Sequence, residues 1–320
     1  MPSLSIICFM PSYNLLEQGY PFLEVILSSL NVCDKMYIYD GSSDSTTKVL
    51  SRIKNPRLIV LRGDWNFSSK NTRGGQVIAE VSNKLLDEVR RREGWENTFV
   101  YYVQANEVFH EETYSQIRLI PETYPNYRGY LLYYYGFYGT LLRGEQFRLR
   151  MAPLSKHVRV IHDGWTMNVF GGFLKAVKIV MRHEAGMMLK YGRLNDFLWV
   201  SNSMYRYVYT RRPVFRYSLL FRSIVTKKLE THSSMFKDMR FSEMREMVEK
   251  MRELKDEEFW REMIKVSEKV QGSGKREFPK VTIPVEDHPK VMRPLLSMST
   301  YEPREEIIRE INELREPVTC

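Results

Sequence analysis

Four short apolar runs, each followed by a turn and an amphipathic stretch, occupy the first hundred residues. Leu4 to Met10 (LSIICFM) is apolar almost throughout, as in a strand buried on both faces. Pro11-Ser12-Tyr13-Asn14 breaks it, and Pro21 precedes a helical stripe of Phe22, Val25, Ile26, Ser29 and Leu30. Met36 to Tyr39 predicts a second strand, stopped by Asp40-Gly41-Ser42-Ser43, with Asp44 placed to cap a helix reaching about Ile53. Leu58 to Leu61 predicts a third strand. Val77, Ile78, Val81, Leu85, Leu86 and Val89 predict a long helix, and Thr98 to Val103 a fourth strand. A β-α-β-α-β-α-β succession with short turns implies a Rossmann-like, mostly parallel sheet covered by helices. Ligands of such sheets bind beyond the carboxyl ends of the strands. The segments that matter are therefore 11–14, 40–46, 62–73 and 104–107.

Downstream, aromatic strands and glycine turns run through 127–180, including Tyr130 to Tyr138. From 238 onward the pattern becomes helical: Met244, Met247, Val248, Met251 and Leu254 share one stripe, and Asp256 caps another helix carrying Phe259, Met263 and Ile264. Pro303 opens a last helix with Ile307, Ile308, Ile311 and Leu314. Three parts follow: 1–112, 113–230, and a helical C-terminal appendage at 231–320.

The net charge of +9 is unevenly spread: residues 113–228 hold 19 Lys and Arg against 5 Asp and Glu. So basic a block attracts polyanions or acts as a solvated surface, and charge alone does not choose. Nucleic acid is disfavoured, because helix-turn-helix, zinc and RNP patterns are lacking. Between Arg211 and Lys228, basic residues interleave with Val214, Phe215, Leu219, Leu220, Phe221, Ile224 and Val225. As a helix this stretch suits either an anionic membrane surface or, the favoured reading, packing on the domain. Cys8, Cys33 and Cys320 lack metal-ligand spacing and read as two core thiols and a tail thiol, which points to the cytoplasm. No run of 18 apolar residues predicts a membrane span.

The turn Asp40 to Thr46 follows a strand and opens a helix, so its carboxylate and backbone N–H groups suit a nucleotide. A plain strand–turn–helix junction is the alternative. Taken in order, Pro11-Ser12-Tyr13-Asn14, Asp40-Gly41-Ser42-Ser43-Asp44-Ser45-Thr46 and Gln104-Ala105-Asn106-Glu107 resemble the P-x-Y-N, D-G-S-x-D-x-T and D-x-D stretches of family 2 glycosyltransferases. Gln104 to Glu111 (QANEVFHE), Tyr135 to Gly139 (YGFYG) and His288 to Met292 (HPKVM) are similar to a subset with Q-A-D-E-V in place of D-x-D.

The resemblance implies a GT-A fold and a nucleotide-diphospho-sugar donor. The acceptor would be a glycan, lipid-linked or protein molecule, and Mg²⁺ or Mn²⁺ would bridge protein and diphosphate. It places Pro11, Tyr13, Asn14, Tyr39, Asp40, Ser42, Arg73, Gln104 and Asn106 at the donor, and Glu107, Asn106 and His183 at the metal. The chain departs from the family at Asn106, which stands where the main metal carboxylate is expected, and at Tyr39, which replaces the first Asp of the usual pair. Inverting transfer needs a carboxylate base near the acceptor hydroxyl, and Asp163 in His162-Asp163-Gly164-Trp165 is the preferred candidate. A GT-A module that binds nucleotide or glycan without catalysis is the competing expectation.

Overall fold

A computed structural model describes residues 4–67, 76–161, 164, 166–169, 205–236, 239–271 and 281–318. The parallel half of its main sheet is built from β1 (Ser5–Ser12), β2 (Lys35–Asp40), β3 (Leu58–Arg62) and β4 (Thr98–Tyr102). Their order is β3-β2-β1-β4. The helices between them are α1 (Phe22–Val32), α2 (Thr46–Leu50) and α3 (Gln76–Glu93).

The continuous apolar run of β1 has a direct cause. Ile6, Cys8 and Met10 point into the core beneath α1, whose Phe22, Val25, Ile26 and Leu30 fill the same layer. Ile7 and Phe9 point the other way, into the layer shared with Leu85, Leu86 and Val89 of α3. A strand covered on both faces has no solvent side, so the positions from Ile6 to Met10 are all apolar.

The sheet continues from β4 into an antiparallel strand, β7 (Leu141–Pro153), then β6 (Gly129–Tyr138), β11 (Val214–Leu219) and the two-residue β5 (Glu107–Val108). β10 (Tyr205–Val208) pairs in parallel with the start of β6, and β11 with its end. A separate two-stranded sheet joins β8 (Arg159–Ile161) to β9 (Thr166–Asn168). α4 (Tyr114–Thr123) lies on the α1 side. The architecture is thus mixed α/β, with a mostly parallel sheet flanked by helices, as the GT-A resemblance implies.

The C-terminal helices are α5 (Val225–Phe236), α6 (Met239–Glu249), α7 (Asp256–Gln271) and α8 (Glu305–Glu313). Phe259, Trp260, Met263 and Ile264 of α7 pack with Tyr138 and Leu141 from the β6–β7 turn. α8 joins the main core through Ile307, Ile308 and Ile311. Buried Glu24 on α1 accepts from the Tyr301 hydroxyl and from Arg304, each at 3.0 Å, and ties this last segment down. The C-terminal part therefore completes the core as well as flanking it.

Two expectations need correction. The stretch 211–228 is not one helix: Val214, Phe215, Tyr217 and Leu219 are buried residues of β11, and helix α5 begins at Val225. Its apolar positions satisfy both a helical and an alternating pattern, and pairing with β6 selects the second. The favoured reading of these apolar side chains, packing on the domain, holds for all but the partly buried Ile224, in a strand and its following turn rather than along one helix. Secondly, Cys8 and Cys33 are buried as expected but joined in a disulfide, with Cα atoms 5.7 Å apart. That removes the thiol argument for a reducing compartment. Among the described residues, no helix is long and apolar enough to cross a membrane.

Candidate functional site

The carboxyl ends of β1 and β2 are adjacent because the two strands pair in parallel with Ser12 opposite Asp40. The Asp40 carboxylate is fully buried and surrounded by donors. Oδ1 accepts from the Ser12 hydroxyl at 3.0 Å and from the Ser42 backbone N–H at 3.1 Å. Oδ2 accepts from the Thr47 hydroxyl at 2.8 Å and from Arg62. The loop after β1 is laced to the same turn. The Asn14 N–H donates to the Ser42 hydroxyl at 2.8 Å, and its side-chain oxygen accepts from the Ser43 N–H at 2.8 Å. Asn14 adopts a positive φ of 46°, and its own side-chain bonds favour that geometry. Asp44 accepts from the Thr46 N–H at 2.9 Å and from the Glu17 N–H at 2.9 Å. Asp40, Asn14 and Ser42 thus shape the rim from within.

An aromatic cluster lies beside this rim, past the end of β3. Tyr13 sits 5.2 Å from Trp65 and 4.8 Å from Phe67, ring centre to ring centre. Tyr39 and Ile78 pack against them over Val77 and Val81 of α3. Glycine is required here for space. A Cβ on Gly41 would lie 2.3 Å from the Trp65 ring, and one on Gly63 would lie 1.9 Å from the Tyr39 hydroxyl.

At the end of β4 the chain turns through Gln104 to Glu107. Glu107 is fully buried; its Oε1 accepts from Arg150 at 2.7 Å and lies 3.8 Å from Arg216 Nε. Its Oε2 accepts from the Gln104 backbone N–H at 3.2 Å. Arg150 also donates to the Gly164 carbonyl at 3.2 Å, which the Gln104 side chain reaches at 3.0 Å. Its guanidinium lies over the Tyr102 ring, 4.8 Å from the centre. Arg148 is buried nearby against the Tyr134 ring, and it donates to Gln146 at 3.0 Å. Burial alone would lower the Arg150 pKa, but Glu107 and the two tyrosines more than offset it, so the group is held above its ordinary value. Arg148 and Arg216 go the other way: burial, then neighbouring guanidiniums, lowers both, with Glu107 partly countering.

Mg²⁺ and Mn²⁺ bind through several oxygens, chiefly carboxylates. Here Asn106 brings a neutral amide, and the Glu107 carboxylate is engaged by Arg150 and Gln104. Among the described residues, no three His, Cys, Asp or Glu side chains gather as a metal group. Among the described residues, the donor set does not fit a divalent cation, because guanidiniums already stand against the Glu107 carboxylate.

The structure brings Pro11, Tyr13, Asn14, Tyr39, Asp40 and Ser42 to one edge, with Gln104, Asn106 and Glu107 at the neighbouring end of β4, since β1 pairs with both β2 and β4. Arg73, Asp163 and His183 lie outside the described residues. The residues not anticipated are Trp65 and Phe67, together with Arg62, Arg148, Arg150 and Arg216. Arg62, Trp65 and Phe67 fall inside the flagged segment 62–73, where aromatic residues beyond a strand end were the available signal for the last two. His288 of the HPKVM stretch is structural: it is buried, meets the Tyr217 hydroxyl at 2.8 Å and lies against the Phe137 and Phe215 rings.

No protein-family model matches the chain, and no curated protein does. Among solved structures it is similar to S. aureus TarS residues 1–349, at 14 % identity and a TM-score of 0.35, covering 97 % of this chain and 90 % of that one. The same fragment in complex with UDP-GlcNAc gives 12 % identity, a TM-score of 0.36 and the same coverages. The chain covers 55 % of a longer TarS structure, about half its length. TM-scores this low carry no weight on fold or ligand, and the strand order and site geometry stand by themselves.

Proposed function

We propose that the chain is a glycosyltransferase that moves a sugar from a nucleotide-diphospho-sugar to a hydroxyl-bearing acceptor. The observation that carries this reading is the meeting, at the carboxyl edge of β1, β2 and β4, of an aromatic cluster with a polar, arginine-rich strand end. Tyr13, Tyr39, Trp65 and Phe67 offer faces for a nucleobase. The Gln104–Glu107 turn, with its guanidiniums, offers charge for a diphosphate. The Asp40 network holds the two connecting loops in place between them.

In the proposed reaction the acceptor oxygen forms a bond to the anomeric carbon as the bond from that carbon to the diphosphate oxygen breaks. The electron pair leaves with the nucleoside diphosphate, and the acceptor proton passes to a carboxylate base. Inversion follows from a single displacement. Asp163 is the proposed base, and its support is that the adjoining Gly164 carbonyl is held by Gln104 and Arg150 at this strand end.

The test is a thermal-shift screen of UDP-, GDP- and dTDP-sugars, followed by product analysis with the donor that stabilises the fold. Stabilisation by one nucleotide class and loss of turnover in Asp163→Asn are the expected results. Absence of binding to all three classes would overturn the reading. Binding without transfer or donor hydrolysis, in both the native chain and Asn106→Asp, would replace it with the binding-module alternative.

A further inference from the structure

We infer that the aromatic face formed by Tyr133, Tyr135, Phe147 and Tyr209 is the surface on which the acceptor docks, and that this acceptor is a neutral glycan. This rests on the transfer reaction proposed above and names the substrate class of its second half.

Strand register builds the face. Tyr133 lies opposite Phe147, and Tyr135 opposite Glu145, so alternate residues of β6 and β7 put these side chains on one side of the sheet. The Tyr133 ring centre is 5.2 Å from Phe147 and 5.6 Å from Tyr135. Tyr209, just past β10, adds a ring 5.6 Å from Tyr133 and 5.0 Å from Phe147. Beneath them, Phe147 and Tyr207 rest on the core layer shared with α3. The outer side meets water: Tyr209 is 72 % exposed, and Tyr133, Tyr135 and Phe147 are only partly buried. The exposed Glu145 carboxylate accepts from the Tyr133 hydroxyl at its rim.

The face is placed where an acceptor is needed. Met151 lies opposite both Tyr101 of β4 and Tyr130 of β6, so Tyr133 and Tyr135 stand beyond the end of β4. Both aromatic clusters lie on the α3 side of the sheet, since Tyr39 of the first and Phe147 of the second pack on the same layer. In strand order, the first cluster follows β1, β2 and β3, the second belongs to β7 and β6, and β4 runs between them. Gly164 sits over that gap, where an added Cβ would lie 2.5 Å from the Tyr102 hydroxyl. Donor and acceptor would thus approach the end of β4 from opposite sides.

The chemistry of the face selects a sugar. The negative face of an aromatic ring attracts the polarised C–H bonds that line a pyranose. Tyrosine hydroxyls and a carboxylate at the rim suit its O–H groups, which donate and accept. Tyr133, Tyr135, Glu145, Phe147, Tyr207 and Tyr209 together carry one carboxylate and no cation, so an acidic polymer or anionic headgroup gains nothing there.

The experiment is calorimetric titration of the full chain with cellohexaose, maltohexaose and N-acetylchitohexaose, with a heparin hexasaccharide as the anionic control. UDP, GDP and dTDP are titrated into the same samples. At least one neutral hexasaccharide should bind, and more tightly than the heparin fragment. Its affinity should fall at least about tenfold in Tyr209→Ala, equal to about 1.4 kcal/mol. Tyr209→Phe keeps the ring face and should stay within about twofold of the native chain. Nucleotide affinity should not change in either variant. Because Tyr209 is so exposed, its replacement leaves the core in place. Failure of every neutral hexasaccharide to bind, or equal binding in Tyr209→Ala, would overturn the inference, as would preference for heparin. A dimer that Tyr209→Ala dissociates in sedimentation would assign the face to a second copy instead. Glycan binding lost in Tyr209→Ala, in a chain that binds no nucleotide, would keep this surface and remove the donor-site reading.

Discussion

Glu107 and Arg150 form a 2.7 Å ion pair in which the two side chains are 1 % and 0 % exposed. Burying two charges is costly, and removing one partner leaves the other uncompensated. Arg150→Met should therefore lower the unfolding free energy by about 3–5 kcal/mol. Glu107→Gln keeps an acceptor for Arg150 but removes its counter-charge, and should also cost about 3–5 kcal/mol. Urea melts check both, since a shifted midpoint at constant slope reports stability alone. Equal, small effects would mean that the pair is more hydrated than its burial implies.

Asp40 differs in that four donors serve its one carboxylate. Asp40→Ala leaves them without that acceptor and should cost about 3 kcal/mol, while Asp40→Asn should cost about half as much. Because Ser12 ends β1 and Ser42 lies in the turn after β2, at the two loops that frame the site, nucleotide affinity should fall with stability in both variants. Ser12→Ala, which loses one bond, should cost about 1 kcal/mol. Chemical denaturation and nucleotide titration on the same samples test the coupling. Unchanged affinity in a destabilised Asp40→Asn would show that the carboxylate does not organise the rim.

How much of this was legible in the sequence depends on the range of the interactions. The β1 run, the α1 and α3 stripes and the turn after β2 are local patterns, and the sheet places them as the sequence predicts. Orientation was harder. A carboxylate at a strand end reads the same whether it faces a ligand or, as Asp40 does, its own loops. The Glu107–Arg150 pair spans 43 residues, and nothing near either residue signals it. Segment 214–219 was misread because its apolar positions fit two periods, and only the presence of β6 alongside decides between them. The Cys8–Cys33 bond likewise depends on how β1 meets the end of α1.

Trp65 stands between Gly41 and the Tyr13 ring, so it responds to either side. Gly41→Ala places a Cβ 2.3 Å from the Trp65 ring and 2.7 Å from the Gly63 carbonyl, where the backbone gives little room. The expected cost is about 1–3 kcal/mol, with a shift in tryptophan fluorescence. Trp65→Ala relieves no clash and removes one stacking face. It should weaken nucleoside binding by about 1–3 kcal/mol, the range of base–aromatic stacking, with a smaller effect on stability. Full affinity in Trp65→Ala would place the base elsewhere.

The disulfide joins residues 25 positions apart within the core beneath α1. A loop of that size restricts the unfolded chain, and its opening should lower stability by about 3 kcal/mol. Alkylation in denaturant without reductant should label Cys320 alone, and all three cysteines after reduction. Labelling of three thiols before reduction would show that Cys8 and Cys33 are not joined in solution. Paired melts with and without reductant then give the size of the effect.

His288 supplies a pH dependence whose sign follows from its surroundings. Burial chiefly lowers its pKa from 6.5 to about 4, so the folded protein holds it neutral against Tyr217 and the Phe137 and Phe215 rings. In the unfolded chain it protonates near the ordinary value. Between about pH 6.5 and pH 4 the unfolded state therefore binds more protons, and stability falls as pH falls. The share lost by pH 5 is about 2 kcal/mol, from 1.36 kcal/mol per pH unit. His110, also lowered chiefly by burial, and His232, lowered to about 3 by burial and then Lys228 and Arg216, act with the same sign. Urea midpoints at pH 7 and pH 5 should differ in the native chain, and less in His288→Gln. Equal differences in the two proteins would show that His288 is not held neutral by the fold, and would return the acid sensitivity to His110 and His232.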